Sequence, residues 1–415
     1  MQDKFIAKIE GHGNLTIDWN KNSVKLNVYE GERLFEGMLV GRPAEEMYWI
    51  TPRICGVCPV AHNLASIKAV EAALGIEPSQ QTILLRQLMM AGQMIQSHML
   101  HLYFLALPDY LGIDRATELN KKNPKALKYA LQLKDVSDKI VQTIAGRSIH
   151  PVASVQGGFR KLPSQLALKK LLKEVKSIEE AVLATADLCK GLEWPDIETD
   201  LEFVSQTNAP EFPQDFVVYD TFYLVSSVEG QYQIEQYKKA IEEDIKSYST
   251  AKFGKYKGRE VLVGALARLA VQPNGLAEKA KPYLQYLNFR NPYHNNFAQA
   301  IELVHFQQQA EQILEELINS KLNTKIAKPA KHPKRKGIGA VEAPRGGLYH
   351  EVHLDKENNI TYVNIITPTV QNLTSIEKSA RAVLDQTKKL SQKERERLLK
   401  MLIRAYDPCI TCAVH

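Results

Sequence analysis

The chain has 415 residues, 44% hydrophobic and 24% charged, with a net charge of +6. That profile belongs to an ordinary soluble globular protein with a substantial core, and so mild a charge does not argue for nucleic acid. No run of about 18 apolar residues offers a membrane span, and residues 1–10 lack the apolar stretch of a secretory signal.

From the amino end, alternating apolar residues predict strands at 15–18 and 24–29, with Asn20 and Asn22 as turn residues between them. Beyond Pro59 the pattern becomes helical. One helix is expected over 61–74, ending at Gly75. A longer one is expected over 81–107, where Leu84, Leu85, Leu88, Met89, Ile95, Met99 and Leu102 keep a near 3.6-residue period up to Pro108. Further helices are expected at 124–144, 164–192, 232–247 and 296–319. The first has Asn123 as N-cap and Pro124 at the first helical position. Two more, at 375–390 and 391–404, each open on Ser, a favoured N-cap. Short strands are expected at 216–224 and 352–366. No internal repeat is present. The expected fold is therefore mainly α with a small β-rich amino-terminal part, an α+β class. A single domain is expected: a β-rich part over 1–60, a helical bundle over 61–324, and a carboxy-terminal part over 325–415. Residues 325–336 hold six Lys/Arg with Pro329 and Pro333. They read first as a solvated loop and second as a docking surface for an acidic partner.

Five cysteines are present: Cys55, Cys58, Cys189, Cys409 and Cys412. So sparse a set fits metal or redox chemistry in a reducing compartment better than a disulfide framework, and the cytoplasm is the expected location. Four of them form two CxxC pairs, in Arg53-Ile-Cys-Gly-Val-Cys-Pro-Val-Ala-His62 and Asp407-Pro-Cys-Ile-Thr-Cys-Ala-Val-His415. This spacing lets two thiolates converge on one metal, and soft sulfur selects zinc, copper(I), iron–sulfur or nickel over magnesium or calcium. A structural four-cysteine zinc site is one reading. The pairs, however, lie about 350 residues apart, far wider than a compact zinc knuckle. Closing such a loop costs several kcal/mol, roughly (3/2)RT ln n, against about 10–16 kcal/mol for thiolate–metal binding. A four-thiolate site can therefore pin the two chain ends together. Cys189, in an apolar helical context, reads as a plain buried thiol.

The two cysteine motifs resemble the signatures of the nickel–iron hydrogenase large subunit, and further blocks in the same order extend the resemblance along the whole chain. It implies the hydrogenase large-subunit fold and a nickel–iron centre with carbon monoxide and cyanide on the iron. Cys55 and Cys409 would be terminal nickel ligands, Cys58 and Cys412 bridging ones. Ile9-Glu-Gly-His12 resembles the block whose glutamate moves protons to and from a terminal thiolate, which points to Glu10. Phe35-Glu-Gly37 resembles the segment that gives a carboxylate to a second metal, usually magnesium. Glu36 and the terminal His415 are the matching ligands. Glu342-Ala-Pro-Arg-Gly-Gly347 resembles the block whose arginine hangs over the open metal positions, which implies that Arg345 hydrogen-bonds a cyanide and polarises hydrogen, with Pro344 as a further cofactor-binding residue. Thr369, in the block that continues to Asn372, is the expected donor to a cyanide. Gly146-Arg-Ser-Ile-His-Pro151, followed by Gly157-Gly158, resembles a block that places His150 toward the partner's nearest iron–sulfur cluster. One departure stands out: Ser97 replaces an aspartate common in the family, so the canopy over the metals is expected to lean on Arg345 and Asp407 alone.

The resemblance implies the reaction H2 ⇌ 2H+ + 2e−, with Glu10, Arg345 and Cys409 as the reacting side chains. Cys189 alone cannot hold a cluster, so electrons must leave through an iron–sulfur small subunit. NAD(P), through a diaphorase-type flavin module, is the first expected acceptor. Coenzyme F420 and a heterodisulfide reductase complex follow. The resemblance also implies a maturation endopeptidase that removes a tail after His415. The alternatives are a non-catalytic subunit like that of complex I and a structural zinc protein.

Overall fold

The computed structural model describes residues 2–210 and 213–415. It opens on a three-stranded antiparallel sheet, Gln2–Phe5, Gly13–Asp18 and Ser23–Val28, paired in chain order. Leu15, Ile17, Val24, Leu26 and Val28 alternate into the core. Asp18 Oδ1 accepts the N–H groups of Asn20 and Lys21 at 3.1 Å, which closes the turn between the second and third strands. The strands stop there. Residues leading to the first cysteine pair form short helical turns, Phe35–Leu39, Met47–Ile50 and Thr51–Ile54.

The centre is helical. Gln80–Leu100 packs between Pro124–Ala145 and Asn295–Asn319, and the last of these also meets Gln165–Ser177 and Glu179–Lys190. Two of the three expected caps, Asn123 and Ser391, are in place. Asn123 accepts from the Ala126 N–H at 3.1 Å, and Ser391 forms a capping box with Glu394 at the head of Gln392–Ala405. Over the helix Pro59–Leu74 lies an antiparallel sheet of Lys336–Ala343, Gly346–Leu354 and Ile360–Ile366. Gly337 and Gly339 make that approach possible. A Cβ on either would lie 2.1 Å from the carbonyl oxygen of Ala69 or Ala65 on the helix. The helix starting at Cys58 and the strand leading to Arg345 are thereby held backbone against backbone.

Several expected elements come out differently. Residues 232–247 are not a helix but a strand Gln231–Gln233, a 3-10 turn Ile234–Lys239 and a strand Ile241–Asp244, which pairs with Phe253–Tyr256. Tyr237 stacks on Tyr349 at 5.2 Å, and its hydroxyl reaches Glu351 and Asn364. Tertiary pairing overrides the local helical pattern. The span 61–324 thus contains a four-stranded sheet, Val261–Leu262, Glu202–Thr207, Tyr223–Ser226 and Gln231–Gln233, as well as helices. The expected strand at 216–224 is confined to Tyr223–Ser226. The expected strand at 352–366 is two strands, separated by a turn in which Asp355 Oδ1 accepts from the N–H groups of Glu357 and Asn359. Pro108 does not stop its helix. A π-helical segment, His101–Ala106, shifts the hydrogen-bond register, and the helix runs on as Leu107–Leu111 to Gly112. The 164–192 helix breaks at Ile178. The helix expected from Ser375 begins at Pro368 instead, because Thr367 is its extended N-cap residue.

Candidate metal centre

Cys55 leaves the turn Thr51–Ile54 in extended backbone, and Cys58 precedes the helix Pro59–Leu74, with Pro59 at its first position. The N–H groups of Val57 and Cys58 donate to Cys55 Sγ at 3.3 and 3.2 Å, which folds the first pair around its leading sulfur. Cys409 precedes the short helix Ile410–Ala413, which carries Cys412. The four ligand atoms lie within 4.8 Å of one another. They form two cross-motif contacts, Cys55–Cys409 at 3.4 Å and Cys58–Cys412 at 3.3 Å.

All four cysteines are buried. Burial opposes ionisation of Cys55, yet hydrogen bonds from Cys409, Cys412 and Cys58 and the charge of Arg345 hold its pKa well below the ordinary thiol value. Burial and the hydrogen bonds to its three neighbours push Cys412 the other way. Four buried thiols in mutual contact cannot all ionise without a cation among them, and four sulfur donors suit a soft or borderline metal such as nickel, iron or zinc.

The chain ends are stapled at this point. Glu10 and Cys409 form a parallel β-bridge, and the Ile410 N–H donates to the Glu10 carbonyl at 3.0 Å. The Glu10 carboxylate reaches Cys409 Sγ at 3.0 Å and the Thr411 N–H at 3.1 Å, and it also accepts the Thr411 hydroxyl. Burial, with the charge of Cys409, raises the Glu10 pKa to about 8. Opposite, Arg345 is buried in the field of Asp407, Cys409, Cys58 and Cys55. Its Nη2 meets Asp407 Oδ1 at 2.8 Å and its Nε the Asp407 carbonyl at 2.6 Å. Ser97 joins them, its Oγ 3.3 Å from Arg345 Nη1. The canopy therefore does not lean on Arg345 and Asp407 alone: the serine hydroxyl is long enough to reach the guanidinium. Thr369 Oγ1 accepts the Cys409 N–H at 3.0 Å, leaving its own O–H available to donate.

The pattern of the family described as nickel-dependent hydrogenase matches residues 33–160 and 198–415, spans that include both cysteine pairs. The chain belongs to that family. It is 33% identical over 418 residues to the sulfhydrogenase 1 subunit alpha of Pyrococcus furiosus, covering 99% of this chain and 96% of that one. It is 27% identical over 460 residues to the subunit beta of the NAD-reducing hydrogenase HoxS of Cupriavidus necator, covering 99% and 93%. Its fold matches a crystal structure of an NAD+-reducing [NiFe]-hydrogenase in the H2-reduced state, with a TM-score of 0.88, full coverage of both chains and 24% identity. The four cysteines of this hydrogenase chain fit a nickel–iron centre, and the readings as a non-catalytic or zinc subunit fall away. It is the catalytic large subunit of a nickel–iron hydrogenase.

The remaining expected site residues of the hydrogenase chain divide into two groups. Glu36 and His415 do meet. Glu36 Oε1 accepts the Ile365 N–H at 2.6 Å and lies 3.9 Å from His415 Nε2, which is itself 3.0 Å from the Ile365 carbonyl. They border a cavity of about 240 Å³ that also touches Glu32, Glu243 and Lys252. One carboxylate, one imidazole and a carbonyl suit a hard cation that keeps several waters. His150 bonds the Pro52 carbonyl at 3.1 Å, on the surface below the first pair. Cys189 is a fully buried thiol pushed up to about 12 by desolvation. The Asn372 amide is engaged with the backbone of Val263, accepting its N–H at 2.9 Å and donating to its carbonyl at 3.1 Å.

Sequence reasoning missed His62. Its Nε2 lies 3.6 Å from Cys412 Sγ and its Nδ1 3.2 Å from His350 Nε2. The signal was present: His62 follows Cys58 by four residues, one helical turn onto the same face. Thr411 and His350 carried no comparable signal.

Proposed function

We propose that Cys55 and Cys409 hold nickel terminally and Cys58 and Cys412 bridge it to an iron carrying carbon monoxide and cyanide. At this centre the chain runs H2 ⇌ 2H+ + 2e−. The observation that carries the reading is the pairing of each first cysteine with the other first cysteine, and each second with the second, with Glu10 bonded to Cys409. The bound metals supply the Lewis acidity that makes hydrogen acidic enough to split.

The chain's own groups do the rest. Cys409 Sγ, a terminal thiolate, is the first proton acceptor and Glu10 Oε2, 3.0 Å away, the second. A carboxyl with a pKa of about 8 both takes and releases a proton near neutral pH. Arg345 stays charged, a poor base but a donor fixed by Asp407 and Ser97, and would offer its remaining N–H groups to the bound centre. Pro344, Arg345 and Thr369 would hold the cyanide-bearing iron, with Arg345 as donor to one cyanide and Thr369 to the other. Glu36 and His415 hold magnesium. Beside His150 the exposed side chains of Ile149 and Val152 stand with the charged Arg53 and Arg147, and Arg53 stacks on the exposed Trp49. Such a patch suits a permanent partner, here the iron–sulfur small subunit that takes the electrons. NAD(P) is the acceptor beyond it, in keeping with the 27%-identical NAD-reducing relative.

Metal analysis and infrared spectroscopy of the purified complex test this. Nickel and iron near one each per chain, with carbon monoxide and cyanide bands, are expected. Zinc without nickel defeats the reading. Assaying hydrogen-dependent reduction of NAD, NADP and F420 separately tests the acceptor alone.

A further inference from the structure

Arg268 lies outside every motif that carries the family resemblance, in the short helix Ala265–Val271, and is fully buried. A guanidinium has five N–H donors, and here each has a partner. Nε and Nη2 grip the two oxygens of Glu302 at 2.6 and 2.7 Å. Nη1 donates to Glu342 Oε2 at 3.0 Å and to the Ala343 carbonyl at 2.9 Å, and Nη2 also donates to the Pro344 carbonyl at 2.9 Å. Those two carbonyls belong to the residues immediately before Arg345.

Glu302 reaches the other side of the canopy as well. Its Oε2 lies 2.6 Å from His98 Nε2, and His98 adjoins Ser97, whose hydroxyl meets Arg345. One buried carboxylate is thus tied through Arg268 to the backbone that launches Arg345, and through His98 to the helix that steadies its tip. His98 Nδ1 has no partner among the described residues. Apolar side chains would fill such a site without that desolvation cost, and a buried ion pair is weak evidence for stability. What the cluster supplies is geometry.

We propose that Arg268 is a positioning residue for the hydrogen reaction: anchored by Glu302 and Glu342, it fixes the Ala343–Pro344 backbone and so the place of the Arg345 guanidinium over the thiolates. This rests on the reading of Arg345 as the group facing the open metal positions. Lysine at 268 keeps the charge but loses the planar fork, so it cannot hold two carboxylates and two carbonyls at once.

The test uses the purified complex carrying Arg268→Lys, Arg345→Lys, or both. Arg268→Lys is expected to keep parental nickel and iron content, to shift the infrared bands of the metal centre, and to lower kcat by about 10- to 100-fold, as misplacement near 1 Å does. KM for hydrogen should stay within about twofold. Because Arg268 acts through Arg345, the double variant should be no more than about twofold slower than Arg345→Lys alone. A double-variant loss equal to the product of the single losses, or parental kcat and infrared bands for Arg268→Lys, overturns the positioning role while leaving Arg345 in place. Parental kcat in Arg345→Lys instead overturns the reading of Arg345, and this inference with it. Where Arg268→Lys does not accumulate as a loaded complex, Glu302→Gln enters the same cycle with the same criteria, since it weakens the anchor while keeping the side-chain shape.

Discussion

Glu10 and Cys409 are separated by 399 residues in the chain, and Glu10 Oε2 lies 3.0 Å from Cys409 Sγ. Among the described residues, no other carboxylate hydrogen-bonds any of the four sulfurs. The Thr411 N–H and hydroxyl hold both carboxylate oxygens, so the group is aimed as well as near.

Glu10→Gln keeps the shape and the two Thr411 contacts while removing the exchangeable proton. Hydrogen oxidation is expected to fall by about 10²–10⁴-fold, the usual worth of a positioned acid–base group. Nickel and iron content should be unchanged. Steady-state turnover, measured beside metal analysis, checks this, and full turnover in the loaded variant would remove Glu10 from the proton route.

Ser97→Ala takes one hydrogen bond from Arg345 and leaves the two to Asp407. A single bond of this kind is worth about 0.5–1.5 kcal/mol, so kcat should fall by roughly two- to tenfold. Ser97→Ala at parental kcat would reduce the serine to a spectator.

Gly339→Val places a side chain where even a Cβ would lie 2.1 Å from the Ala65 carbonyl oxygen. The sheet must lift from the helix that begins at Cys58, at a cost on the order of 3 kcal/mol. Lower thermal stability and poorer nickel loading are expected together. Thermal melts of the apo and loaded forms separate the two effects, and a parental melt would show that the strand can move freely.

His305 is buried beside Phe216, with its Nδ1 accepting the Ala277 N–H at 3.1 Å. Desolvation lowers its pKa to about 4. Unfolded, it titrates near its ordinary value of about 6.5. Between those values the unfolded chain binds the extra proton, so stability falls as pH drops from about 6.5 to 4. His305→Gln keeps an acceptor for Ala277 and removes the titration. Its melting temperature should fall less steeply than the parent's across that window, and parallel slopes would count against the buried neutral histidine.

Much of the site is legible in the sequence. The CxxC spacing, the prolines and caps at Pro59, Asn123 and Ser391, and the blocks around Glu10 and Arg345 are local patterns whose chemistry lies within a few residues. Less legible are residues such as Arg268 and Glu302. An arginine in a short helix and a glutamate in a long one look like surface residues until the fold buries them against each other.

Four soft ligands in two pairs, with a carboxylate and a guanidinium in motifs suited to a hydrogenase centre, are readable from residue order. The reason is that ligand type and CxxC geometry are properties of a few adjacent residues. The folded chain is needed to see that Glu10 reaches Cys409, that Ser97 meets Arg345, and that His62 faces Cys412. The fold also makes Gln231–Gln233 and Ile241–Asp244 strands on either side of a 3-10 turn, where the local pattern favoured a helix. Each of these is a contact between segments far apart in the chain, chosen by which surfaces the whole core can bury together.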